Sequence, residues 1–242
     1  MLHFKAYHFC SLIMFALLVI SCNQTGQQTV VEASADSTNI QPPPVQTEEI
    51  TAVAVSHHVK DFPKWTAAFF EHETGRKAAG LNVIGVFQDF EDPGFVSVTS
   101  TVSDLDAAKD FFASEDLKEA MKKAGAIDEP EIKFYNFTYM DTTVAKTSDN
   151  RMFVMHKVED YDTWKTIFDE NESTRKTDGL SVVVIARELE DPNEIAVSFT
   201  GPDLKTLKFH MDRPEIKESM KKAGVVNEPS IMIAKKLPIS II

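Results

Sequence analysis

The sequence predicts an α+β protein of two tandem βαββαβ repeats whose antiparallel sheets pack face to face. Three observations predict it. Residues 55–132 align with residues 154–231 at a constant offset of 99, without a gap and with more than a third of the positions identical. Within each copy, strand-like and helix-like segments follow in one order. The second strand of each copy is apolar on both faces, so helices on one side of the sheet cannot cover it alone.

The repeat is carried by the pairs His57/His156, Asp61/Asp160, Trp65/Trp164, Phe69/Phe168, Arg76/Arg175 and Gly80/Gly179. Glu91-Asp92-Pro93 recurs as Glu190-Asp191-Pro192, and the Met-Lys-Lys-Ala-Gly run at residues 121–125 recurs at 220–224. Such self-similarity constrains architecture before any other reading does. In the first copy, residues 51–59 are β-branched and apolar, a strand. Asp61 caps a helix with Pro63 in its first turn, and Gly80 closes it. Residues 81–88 form a second strand, 91–94 a turn and 95–101 a third strand, which completes a hairpin. Ser103 with Asp106 reads as a variant capping box that opens another helix. Ser114 restarts that helix and Gly125 ends it, and residues 132–137 form the fourth strand. The order is the ferredoxin-like motif. The repeats are assigned to residues 50–138 and 151–238, with a polar linker at 139–150.

The second strand supplies the tertiary argument. Leu81, Val83 and Phe87 alternate with Ile84 and Val86, and Leu180, Val182 and Val184 alternate with Val183 and Ile185. The other copy's sheet is the natural cover for the face without helices, which gives a pseudo-dimeric α/β barrel in one chain.

The N-terminus is a different kind of sequence. Residues 1–21 carry one Lys, an apolar run at residues 12–20 and a small residue before Cys22, which is the pattern of a secretory signal and too short to span a bilayer. Val19-Ile20-Ser21-Cys22 resembles the bacterial lipobox, which implies cleavage before Cys22 and its lipidation, with several acyl chains as the membrane anchor. The alternative is an ordinary secretory signal with an incidental Cys. The expected location is the cell envelope, outside the cytoplasm. Residues 22–49, rich in Gln, Thr, Ser, Pro and acid, read as a disordered tether stiffened at Pro42-Pro43-Pro44. Cys10 and Cys22 are the only cysteines, so the processed chain has no internal disulfide and no thiolate chemistry. Loss of the leader takes the formal charge from −12 to −13, and such acidity excludes nucleic acid as a partner and disfavours adsorption to anionic headgroups.

Over residues 51–237, the motif order, the double repeat, the Asp61-Phe62-Pro63-Lys64-Trp65 phrase and Ala124-Gly125 resemble the dimeric α/β-barrel superfamily, whose best-known branch is antibiotic-biosynthesis-monooxygenase-like. The resemblance implies oxidation of aromatic substrates without metal or flavin, or degradation of haem, resting on Asn, Trp and His placements that do not map onto this chain.

Two polar residues agree between the copies on otherwise apolar faces. On a helical wheel Trp65, Phe69, His72 and Arg76 fall within about 60° of one another, so the apolar stripe runs into an arginine. Arg76 and Arg175 read either as anion-binding forks at the barrel mouth, or as cations at a helix C-terminus whose stems cover apolar surface. His57 and His156 share a strand face with valines and read as a general base, as ligands to metal or haem, or as core histidines. One agreeing histidine per copy is too few for a metal centre, so no metal site is expected. Trp65 and Trp164 are core aromatics or stacking platforms for a ligand. Phosphate loops, nucleophile elbows and His-Glu-x-x-His are absent, and no cofactor is expected.

Three functions therefore compete. The first is a non-catalytic module that binds a small organic or anionic ligand in the inter-sheet cavity, lined by Arg76, Arg175, His57, His156, Trp65 and Trp164. The second is a cofactor-free monooxygenase-like enzyme acting on an aromatic substrate. The third is a structural or interaction module with a filled barrel. The oligomeric state is not set by the sequence.

Overall fold

In the computed structural model, which describes residues 49–238, the first repeat runs β1 (Ile50–His58), α1 (Phe62–Glu71), α2 (Glu73–Ala78), β2 (Leu81–Asp89), β3 (Phe95–Val102), α3 (Leu105–Ala113), α4 (Glu115–Ala124) and β4 (Glu131–Met140). A 3-10 turn at Val144–Lys146 leads to the second: β5 (Asn150–Lys157), α5 (Tyr161–Glu170), α6 (Glu172–Thr177), β6 (Ser181–Glu188), β7 (Glu194–Thr200), α7 (Leu204–Asp212), α8 (Pro214–Lys222) and β8 (Ser230–Lys236). The expected leader, Cys22 and all but the last residue of the tether lie outside the described residues. Among the described residues no helix is long and apolar enough to cross a membrane.

The helices start and stop where local chemistry dictates. Asp61 and Asp160 accept the backbone N–H groups of Lys64 and Thr163 at the N-termini of α1 and α5. Gly125, at φ 95°, ends α4 in the left-handed conformation, its N–H donating to the carbonyls of Lys122 and Met121. Two expectations are corrected. The helix expected from Asp61 to Gly80 is two, broken at His72, which leaves helical geometry at ψ 12°. The cap of α3 is Asp104, which accepts from Ala107 N at 3.0 Å, while the Ser103 hydroxyl instead donates to the Gly80 carbonyl at 3.1 Å.

The eight strands close into one antiparallel barrel in the order β1-β3-β2-β8-β5-β7-β6-β4. Each repeat contributes four neighbouring strands. The two sheets face each other across a lumen and also join edge to edge. One seam pairs Phe87 with Lys236, Gln88 with Lys235 and Asp89 with Ala234. The other runs from Tyr135 opposite Glu188 to Met140 opposite Val184. Edge strands that would otherwise offer free N–H and C=O groups are thereby paired.

Strand alternation sorts side chains into two layers. On β1, Ala54, Ser56 and His58 face the lumen, whereas Val53, Val55, His57 and Val59 face the helices. A bulge between Val83 and Gly85 shifts the phase of β2, so Leu81, Val83 and Val86 meet the helices and Ile84 and Phe87 the lumen. The strict alternation expected there is corrected by one residue. A bulge between Val182 and Val184 does the same in β6. The lumen encloses about 560 Å³.

Closure is the source of a direct test. Residues 49–140 and 150–238, expressed separately, each expose two edge strands and a lumen face. Each is expected to self-associate, as dimers or larger species by light scattering; a well-folded monomer of either half would contradict this account of closure.

Candidate functional site

Each repeat encloses a cavity between its helices and the outer face of its sheet, about 80 Å³ in the first and 70 Å³ in the second. A single water needs about 10–15 Å³ on this measure and a cavity that takes benzene about 150 Å³, so each as it stands has room for several waters, and an aromatic guest would have to open it further. His57, Trp65, Phe69 and Arg76 line the first, and His156, Trp164, Phe168 and Arg175 the second. The residues singled out in the sequence are thus brought together, but under the helices and not in the lumen. The reason is strand parity: His57 shares its face with Val55 and Val59, and that face belongs to the helix layer.

The four side chains form the same stack twice. The His57 ring lies 5.7 Å from Trp65, edge-on, and Trp65 stacks on Phe69 at 5.3 Å. The guanidinium carbon of Arg76 sits 3.7 Å above the Phe69 ring, and its Nη1 donates to the Phe69 carbonyl at 2.5 Å. In the second copy His156 lies 5.6 Å from Trp164, Trp164 lies 4.9 Å from Phe168, and Arg175 sits 3.8 Å above Phe168 with Nη1 donating to its carbonyl at 2.6 Å. Trp65 and Phe69 are four apart on α1, which puts them on one face; α2 then brings the arginine back over that face. Of the two readings of the arginines, the geometry realises the second. Each one covers apolar surface and caps a carbonyl at the end of the preceding helix. Burial pulls the Arg76 guanidinium down to about 10 and lowers Arg175 in the same direction.

The histidines differ from every other buried polar group here. His57 is 4% exposed and His156 3%, and both ring nitrogens of each lack any hydrogen-bond partner. The Nε of Arg76 is likewise buried without one. Leaving a buried donor or acceptor unmade costs about 1–3 kcal/mol, so these atoms mark where a further polar group belongs. Both imidazoles line their cavities. Burial drives both down to about 4, with Asp128 and His58 making smaller, opposed contributions at His57, so both are neutral at pH 7. A neutral imidazole offers one donor and one acceptor. Among the described residues no group of three or more His, Cys, Asp or Glu could hold a metal ion.

Sequence reasoning missed several lining residues, among them Ser100, Phe111 and Met121 in the first cavity and Asn171 and His210 in the second. The signal for His210 was available: it stands opposite Phe111 in the repeat. Agreement between the copies located the shared stack, while disagreement held the information about their difference.

No family model matches the chain, and no curated protein matches it. Solved structures do. An anthrone oxidase-like protein is 10% identical, with 78% of this chain and 92% of that chain covered at a TM-score of 0.56. A protein from Fusobacterium nucleatum provisionally named a monooxygenase is 13% identical, covering 78% and 93%, at 0.53. A heme-binding protein from Thermus thermophilus is 13% identical, covering 78% and 92%, at 0.50. The fold is the dimeric α/β barrel. At this identity the likeness is one of architecture, and this barrel differs from a true dimer in having both halves in one chain.

The buried histidines set a pH dependence. Their ordinary value is 6.5 and their folded value about 4, so between these limits the unfolded chain binds more protons. Stability is expected to fall as pH drops from about 6.5 to about 4, by up to roughly 3 kcal/mol per histidine. Urea melts at pH 7 and pH 4.5 check this, and the difference should shrink in His57→Leu and His156→Leu.

Proposed function

We propose that the chain is a small-molecule binding module with one binding cavity per repeat, the cavities under the helices being the sites. The observation that carries this reading is the pair of fully buried imidazoles, in equivalent places, with no hydrogen-bond partner on either ring nitrogen. The walls are otherwise mostly aromatic and aliphatic, with His72 and Ser100 in the first and Asn171, His210 and Ser219 in the second, and the arginine forks are turned onto Phe69 and Phe168. The ligand chemistry that fits is therefore a small, largely apolar molecule with one hydrogen-bonding group, in preference to an anion.

The enzyme reading draws support from the printed names of the solved neighbours, which include an anthrone oxidase-like protein. It requires turnover, and binding alone does not distinguish the two. A solidly filled barrel is disfavoured by the lumen of about 560 Å³. The proposal also includes the anchor: the Val19-Ile20-Ser21-Cys22 sequence supports lipidation of Cys22 and a position at the cell envelope. Cys22→Ser is expected to move the protein from the membrane to the soluble fraction and to abolish incorporation of labelled palmitate.

The binding reading is tested by mass spectrometry of molecules retained through gentle purification of residues 49–242. One retained species is expected for each intact cavity. His57→Leu and His156→Leu should each lose one, and the double variant both; full retention by the folded double variant would remove the histidines from the site.

A further inference from the structure

The two cavities share a stack but not a wall. Phe111 lines the first; the residue 99 positions on is His210, buried at 4% exposure on α7 and lining the second cavity. Two further exchanges accompany it. Ala79 is replaced by Asp178 and Ser114 by Arg213. These three new residues touch one another. His210 Nδ1 lies 2.6 Å from Asp178 Oδ2, and Arg213 Nη1 donates to both oxygens of Asp178, at 2.6 and 2.5 Å. Arg213 in turn holds Glu215.

The network determines how the imidazole meets the cavity. Burial pushes the Asp178 carboxyl up, but the hydrogen bonds from His210 and Arg213 outweigh it and hold the group below the usual carboxylate range. Asp178 accepts from Nδ1–H, and the tautomer that makes this bond carries its acceptor on Nε2. Asp178 stands behind the ring and does not line the cavity; His210 does. His156 lines the same cavity, with both nitrogens unpartnered.

We propose that the second cavity selects a hydroxyl-bearing aromatic, such as a phenol, whose O–H is accepted by His210 Nε2 while the ring packs among Trp164, Phe168 and Phe199. The first cavity, with Phe111 in that place, takes the aromatic part without this selection. The inference rests on the reading that the helix–sheet cavities bind ligands. Asp178 and Arg213 act through His210: they position its ring.

Phenol and toluene, alike in size and differing in the hydroxyl, test it. Binding to residues 49–242 is followed by NMR, with resonances of His156 and His57 reporting the two cavities. Phenol is expected to bind the second cavity about tenfold more tightly than toluene, the ratio one well-made hydrogen bond supplies, and the first cavity with no such preference. His210→Phe installs the residue that the first repeat already accommodates and should erase the preference while toluene still binds. Asp178→Asn should reduce it several-fold, because the amide no longer enforces the tautomer. The same preference in both cavities, or its survival in His210→Phe, overturns the proposal, as does equal binding of the two probes in the second cavity. Failure of both probes to enter either cavity would instead strike the underlying binding reading. A purely structural role for the Asp178–His210–Arg213 network would change stability in these variants and leave the phenol-to-toluene ratio unmoved.

Discussion

Each half of this chain makes a four-stranded sheet with helices on one face only, and the opposite face carries Phe87, Phe137, Phe153, Met232 and their neighbours. Exposing that surface to water would cost about 25 cal/mol for every Å² of apolar area. The second half resolves the problem geometrically. Its sheet faces the first across the lumen, and the four edge strands β2, β8, β4 and β6 pair so that neither sheet keeps a free edge. Nearly everything else follows from that mutual closure. It sends the helices outward, divides each strand into a lumen row and a helix row, and creates separate compartments in one small body: the lumen and a cavity under each helix layer.

The cavities under the helices are where the polar anomalies gather. Ser97 accepts from the Ser56 hydroxyl at 2.9 Å, and Thr200 accepts from Arg151 at 3.0 Å. Arg151, 2% exposed, also donates to the carbonyls of Ala145, Ser148 and Asn150, tying the linker to the barrel wall. Against that background of satisfied groups, two bare imidazoles in equivalent places are conspicuous. The arginines beside them each turn Nη1 onto the carbonyl of the preceding helix end and the guanidinium face onto a phenyl ring.

Much of the fold was legible in the sequence because the chain writes it twice. Element order came from β-branched runs, capping Asp and terminal Gly, and the two-faced apolarity of β2 and β6 pointed to the second sheet. What was not legible was local phase. A single extra residue in each bulged strand reverses which side chains look inward, and no pattern in Leu81-Asn82-Val83-Ile84-Gly85-Val86-Phe87 announces it beyond a lone glycine that Val184 replaces in the other copy. The break at His72 was hidden for a similar reason, since the apolar stripe continues past it from Trp65 to Arg76 on the same side. The site residues were found by their agreement between copies, yet assigned to the wrong compartment, because parity relative to Val55 and Val59 says that His57 shares their face and not which face the helices cover. His210 and Asp178 escaped because agreement was the only signal followed; a single-chain duplication leaves its two copies free to diverge, as identical subunits of a dimer are not.

The two seams that close the barrel are unequal. The one between β4 and β6 runs most of the length of β4, while the one between β2 and β8 consists of three rungs at the strand ends, finished by the Leu237 N–H on the Val86 carbonyl. The closure of the barrel at that edge therefore rests on fewer backbone hydrogen bonds than its closure on the far side.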